Sequence, residues 1–197
     1  MADLTPIERA VAAIAHDLSA DGCRYALVGG LAVSVRGEVR FTRDVDIAVA
    51  VGDDRIAEAL VHRLGAHGYR PVATVEHESR KRLATARLVS PLGVKVDLLF
   101  ASSGIEEEIV ARASVIDLPQ IGKVVVARAE ELLAMKVLSM SDVRLQDRID
   151  AQHLLRDNPE LDLNVVRESL ALIRARGFDR GQNLEDKLAS LSRGVGS

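Results

Sequence analysis

The stretch that most limits how this chain can fold is residues 40–49, RFTRDVDIAV, which sets Asp44 and Asp46 one residue apart in an otherwise apolar run. In a strand, residues two apart share a face. Val45, Ile47 and Val49 then face a core, and both carboxylates lie on the back. Like charges that close repel, and burial raises the cost of each. A purely structural strand gains nothing from the pair, so a cation is expected between them. Residues 94–98, VKVDL, repeat the device: Val94, Val96 and Leu98 form one face, Lys95 and Asp97 the other. If the two strands pair, Asp97 joins Asp44 and Asp46 in a cluster of three carboxylates. An all-oxygen donor set suits Mg²⁺ better than zinc. Two such ions would hold the attacking and leaving oxygens of a phosphoryl transfer.

The rest of the pattern surrounds these strands with helices. Thr5-Pro6-Ile7-Glu8 is a capping box that opens a helix to about residue 19. An apolar run at 25–28 ends on Gly29-Gly30, a strand entering a tight turn, and a short helix follows at 31–35. A strand over 45–51 precedes a helix capped by Asp53 or Asp54 and ended by Gly68. A strand at 69–75 contains Pro71, which predicts an edge position. Strands at 83–89 and 94–100 flank Ser90-Pro91-Leu92-Gly93, a hairpin signal. A helix over 105–113 and a short strand at 124–126 complete the first part. From residue 128 the pattern is helical, with helices near 128–140, 142–156, 161–176 and 183–192. The fold class is therefore α/β (α+β): a mixed sheet flanked by helices over 1–127, then a helical C-terminal part over 128–197. The Gly-Val-Gly-Ser tail reads as disordered.

Composition narrows the function. With 197 residues and a net charge of −3, the chain is not a generally basic, duplex-coating protein. Aromatics are only 3%, which argues against base stacking on aromatic platforms. Basic residues are focused locally, at Arg36, Arg40 and Arg43 and in the run Arg80, Lys81, Arg82. A single cysteine, Cys23, allows no internal disulfide. The five histidines show no metal-ligand spacing. No signal peptide pattern opens the chain, and no apolar stretch is long enough to span a bilayer, so the expected location is the cytoplasm without membrane contact.

Residues 27–49, LVGGLAVSVRGEVRFTRDVDIAV, resemble the signature of the nucleotidyltransferase superfamily: a strand ending in Gly-Gly or Gly-Ser, ten to fifteen residues, then Asp-h-Asp, with a third acid on a later strand. VKVDLLF at 94–100 fits that third acid. The match is closer to the AbiEii-type nucleotidyltransferases, toxins of bacterial toxin–antitoxin systems, through Arg40, Thr42, Asp44 and Asp46. It extends to residues 128–155, where Lys136 corresponds to a lysine that reaches the triphosphate, and Arg144, Asp147 and Asp150 match an Arg-x-Lys-Asp-x-x-Asp helix. Two positions depart: Gly30 replaces a common serine, and Gln146 stands where lysine is usual.

The resemblance implies an Mg²⁺-dependent enzyme that binds a nucleoside triphosphate at Gly29, Gly30, Arg40, Thr42, Lys136 and Asp150. Asp44, Asp46 and Asp97 would be metal ligands, and with Lys136 the catalytic set. The acceptor would be RNA, such as a tRNA end, or a protein, and a cognate antitoxin is a further partner. An antibiotic nucleotidyltransferase and a non-catalytic nucleotide- or antitoxin-binding module are the alternatives. The residues alone also admit Lys136 as a surface lysine, Arg40 as a salt-bridge partner, and Asp147 and Asp150 paired locally with Arg144 or Arg148.

Overall fold

The computed structural model describes residues 4–77 and 81–192. Arg80 of the basic run and the C-terminal Gly-Val-Gly-Ser lie outside them. The elements are α1 (Pro6–Ala20), β1 (Tyr25–Val28), α2 (Gly29–Arg36), β2 (Asp44–Val49), α3 (Asp54–Ala66), β3 (Arg70–His77), β4 (Arg82–Val89), β5 (Lys95–Leu99), α4 (Glu106–Arg112), β6 (Ser114–Leu118), β7 (Gly122–Val126), α5 (Ala129–Ser139), α6 (Leu145–Asp157), α7 (Leu163–Ala175) and α8 (Leu184–Ser192). Among the described residues the strands form one mixed sheet in the order β3-β4-β5-β2-β1-β7-β6.

Local chemistry sets these limits. Thr5 and Glu8 close the capping box of α1, with the Thr5 N–H donating to Glu8 at 2.7 Å. Asp53 accepts the Ile56 N–H at 2.9 Å and caps α3. Pro71 has no N–H for a second neighbour, and β3 is indeed the outer strand, with a register shift between Pro71 and Ala73. The aliphatic faces of the central strands are buried, including all of β1 and Val45, Ile47 and Val49 of β2. Helix α1 packs on β2 and β7, and α4 on β1 and β2. The C-terminal helices gather round α5, which also meets α2. Leu132, Leu133 and Val137 of α5 share one buried cluster with the sheet. No helix among the described residues is long and apolar enough to cross a membrane.

Three details differ from the sequence expectation. Helix α2 begins on the two glycines themselves, at Gly29, rather than at residue 31. Strand β2 spans Asp44 to Val49, so Asp44 is its first residue. Strand β6 was not anticipated. It forms a hairpin with β7 whose left-handed turn position is taken by Gln120, φ 66°, where glycine or asparagine would have given the signal.

Candidate active site

Strand pairing brings the acids of two separate segments together. β2 runs parallel to β5 with Asp46 opposite Asp97, and antiparallel to β1 with Asp46 opposite Val28. The residue after Val28 is Gly29, with φ 64°, and a Cβ there would overlap the Asp46 carboxylate. Gly29 therefore serves two steric needs at once, a left-handed turn and a close approach. At Gly30 an added Cβ would collide with the Arg40 guanidinium. The N-cap residue of α2, Val28, makes no side-chain cap bond, and the Gly30 N–H faces the Asp46 carboxylate.

Helices α5 and α6 supply a second group of charges. Lys136 lies 2.7 Å from Asp147 Oδ1 and 2.7 Å from Asp150 Oδ2. Asp150 is fully buried and also takes Gln146 Nε2 at 2.9 Å and Arg40 Nη2 at 3.0 Å. Arg40 Nε lies 2.8 Å from the other oxygen but is not aligned to donate to it. Burial alone would raise the Asp150 carboxyl. The bonds from Lys136 and Gln146, with the charges of Lys136 and Arg40, outweigh it and hold Asp150 below the ordinary range. Arg144 Nε sits 3.2 Å from Asp147 Oδ2. Thr42 donates to the Asp44 carbonyl at 3.4 Å and steadies the entry to β2.

All of these groups meet in one place. A cavity of about 390 Å³ is lined by Gly29, Gly30, Arg40, Thr42, Asp44, Asp46, Arg87, Asp97, Lys136, Arg144, Gln146 and Asp147. A second cavity of about 280 Å³ shares Gly29, Asp46, Arg87, Asp97, Lys136, Arg144 and Asp147 with it, and adds Ser102, Met135 and Arg180. Asp150 lies behind the wall, bonded to Lys136 and Arg40. A larger groove of about 580 Å³ between α3 and the β3–β4 ribbon is lined mainly by apolar atoms and gathers no comparable set of charges.

The acids fare unequally. Asp97 is held by Arg87 through Nε at 2.8 Å and Nη2 at 2.6 Å. Asp44 and Asp46 have no ion-pair partner among the described residues. Asp46 keeps some contact with solvent, yet its carboxylate is walled by protein. Burial first, then the charges of Asp97 and Asp44, push it up to about 6, against the pull of Lys136 and the Gly30 N–H. Among the described residues, no three acidic, histidine or cysteine side chains are grouped to hold a metal as they stand. The donor chemistry still fits Mg²⁺: oxygen only, on adjacent strands, with a desolvated carboxylate that lacks a cation.

Arg87 was not singled out from the sequence. Its signal was an arginine inside an apolar strand, on the hairpin arm next to Asp97. Two of the locally focused basic residues are tied up internally. Arg36 donates to the Ala127 and Val126 carbonyls and to Ser114, and Arg82 pairs with Asp54 at 2.6 Å.

Against known proteins, the family described as the nucleotidyl transferase AbiEii toxin, type IV toxin–antitoxin system, matches residues 12–193. Among solved structures, the chain is similar to an antigenic nucleotidyltransferase-like protein from Paracoccidioides brasiliensis, at 19% identity over 91% of this chain and 92% of that one, TM-score 0.52. It is also similar to the lincosamide antibiotic adenylyltransferase LnuA, bound to lincomycin, at 18% identity over 78% and 98%, TM-score 0.50. A third likeness is to ANT(2")-Ia in complex with adenylyl-2"-tobramycin, at 13% identity over 87% and 99%, TM-score 0.53. At such identities the likeness is one of fold. No curated protein matches significantly.

Proposed function

The chain belongs to the AbiEii family of nucleotidyltransferase toxins, and we propose that it moves a nucleotide from a nucleoside triphosphate to a hydroxyl of RNA, with Mg²⁺ as cofactor and a cognate antitoxin as partner. One observation carries the reading. The Gly29–Gly30 turn, Asp44 with Asp46, Asp97 and Lys136 come from four separate elements and line one cavity. The first turn of α2, which its N-cap residue Val28 does not close with a side chain, offers its remaining N–H donors to phosphate oxygens. Lys136 has three N–H donors, and Asp147 and Asp150 engage two of them. The third is left for the triphosphate. Asp44 and Asp46, with Asp97, are the residues that would hold the metal, which when bound neutralises phosphate charge. Asp97 is also the group to take the proton of the acceptor hydroxyl. The freed oxygen attacks the α-phosphorus, the bond to the bridging oxygen breaks, and pyrophosphate leaves.

The basic edge of the second cavity suits a polyanionic acceptor. Arg87, Arg144 and Arg180 line it, and Arg180 has no acidic ion-pair partner among the described residues. Burial and the nearby Arg144 charge hold Arg180 below its ordinary range, so one cation faces another. A polycationic antibiotic would meet that charge unfavourably, whereas RNA phosphates relieve it. The test offers α-labelled triphosphates with total RNA, bulk protein and an aminoglycoside side by side. Label is expected in RNA, lost with EDTA and in Asp44→Asn. Label only in protein or drug would overturn the acceptor, and no label anywhere would overturn the transfer itself.

A further inference from the structure

The ion pairs that line the cavity fall into two sets, one on α5 and α6 and one on the sheet. Lys136, Arg40 and Arg144 are committed to Asp147 and Asp150. That leaves Arg87 as the cation bonded to the acids of the sheet, and it serves Asp97 alone. Arg87 and Asp97 are direct partners across the β4–β5 pair, so their side chains leave the sheet side by side. Each carboxylate oxygen receives one guanidinium N–H, at 2.8 and 2.6 Å. A carboxylate gripped by such a fork is poorly available to a metal ion or to the proton of a hydroxyl. Asp46, opposite Asp97 on the next strand, has no such cover.

The two partners differ in freedom. The Asp97 side chain is 10% exposed and fixed in the sheet, whereas that of Arg87 is 46% exposed. Lys136, at 11%, is buried with its acids. Arg87 is thus freer to move than the carboxylate it holds, and it is the cation bonded to Asp97. It lines the same cavity as the Gly29–Gly30 turn and also the adjoining one. Phosphate offers a guanidinium the same paired oxygens as a carboxylate and carries more negative charge.

From this geometry we infer that Arg87 is a phosphate-operated latch on Asp97. Without triphosphate it holds the third carboxylate closed, so that only the Asp44–Asp46 side is open to a cation. An entering triphosphate draws the guanidinium onto its own oxygens. Asp97 is then free to serve as metal ligand and proton acceptor. The inference rests on the triphosphate site proposed above and adds the order of events there.

The experiment needs neither acceptor nor turnover. Arg87→Met keeps the aliphatic stem and removes the fork, and Arg87→Lys keeps a charge without it. Mn²⁺ binding to metal-depleted protein is counted by electron paramagnetic resonance in the absence of nucleotide. Tripolyphosphate affinity is measured by calorimetry in EDTA. Arg87→Met should gain an additional Mn²⁺ site that disappears again in Arg87→Met with Asp97→Asn. It should also bind tripolyphosphate at least about tenfold more weakly, the scale of a hydrogen bond to a charged group. Arg87→Lys should fall between wild type and Arg87→Met in both measurements. A cross-strand pair of merely structural value would lower the melting temperature and leave both measurements unchanged, which overturns the latch. So does a change in only one of them. A wild-type protein that takes up neither Mn²⁺ nor tripolyphosphate removes the triphosphate site itself, and the latch with it.

Discussion

Replacing Asp46 with asparagine should stabilise the metal-free protein, and the size of the gain follows from its surroundings. Burial, with the charges of Asp97 and Asp44, raises this carboxyl from 3.8 to about 6. At about 1.4 kcal/mol for each tenfold change in proton affinity, ionised Asp46 costs the fold roughly 3 kcal/mol. Asparagine keeps the shape and an oxygen for the Gly30 N–H, but carries no charge. In a chain of this length about 1 kcal/mol moves the melting temperature by roughly 2–4 °C. A gain of roughly 6–12 °C is therefore expected at about pH 8 in EDTA, by circular dichroism. The folded state binds the Asp46 proton more tightly than the unfolded chain does. Wild-type stability consequently falls as pH rises from about 4 to about 6 on account of this group, and stays lowered above. The variant lacks that slope. The gap should close near pH 4, roughly where both forms of residue 46 are neutral, while contributions from Asp150 and other acids largely cancel in the difference. Mg²⁺ should narrow the gap at pH 8 by stabilising wild type alone. Equal melting temperatures at pH 8 in EDTA, or a gap that persists at low pH, would refute the account of a desolvated, cation-starved carboxylate.

Three further outcomes test neighbouring parts of the site. Lys136→Ala takes one cation from Asp147, which keeps Arg144, and from the fully buried Asp150, which keeps Arg40 and Gln146, so chemical denaturation should show a loss of about 1–3 kcal/mol, where a surface lysine would cost little. Asp97→Asn should keep triphosphate binding but slow single-turnover transfer by about a hundredfold or more; near-normal transfer would remove Asp97 from the chemistry. Gly29→Ala meets both a left-handed φ and the Asp46 carboxylate, whereas Gly93→Ala meets only its φ of 76° and open space. The first should destabilise clearly more than the second, whose cost is about 1–2 kcal/mol, and equal losses would show that the close approach carries no weight.

Much of this site could be read before any coordinates. Alternation put Asp44 and Asp46 on one face and Asp97 on the same kind of face of another strand, because the period of a strand is two and admits no other arrangement. Thr5 and Asp53 announced their helices through capping chemistry that is local to a few residues. What the sequence hid was register. Closing the hairpin directly across residues 90–93 would set Arg87 opposite Val96, with its side chain on the other face from Asp97. The turn instead takes in one more residue: the Ser90 N–H donates to the Val94 carbonyl at 2.8 Å, Val89 faces Lys95, and Arg87 meets Asp97. A slip of one position decides whether the pair exists at all. Lys136 and Asp150 were recognisable only by resemblance, since nothing in a helix pattern says which helix will lean on a distant glycine turn. Burial then settled the plainer alternative for Lys136, whose side chain is enclosed with its acids rather than displayed at the surface.

The space above Gly30 has a consequence for any attempt to rebuild this scaffold. It is filled by the tip of Arg40, which reaches across to Asp150 and so braces α6 against the glycine turn. A serine at position 30, common in the wider superfamily, would need that same volume. Arg40 would have to shift its guanidinium to yield it. A hydroxyl in the phosphate cradle and an arginine strut to the C-terminal helices thus compete for one small room. Grafting the serine form into this chain means re-seating Arg40 against Asp150 as well, so an absent side chain in the turn is felt at α6, in the far half of the molecule.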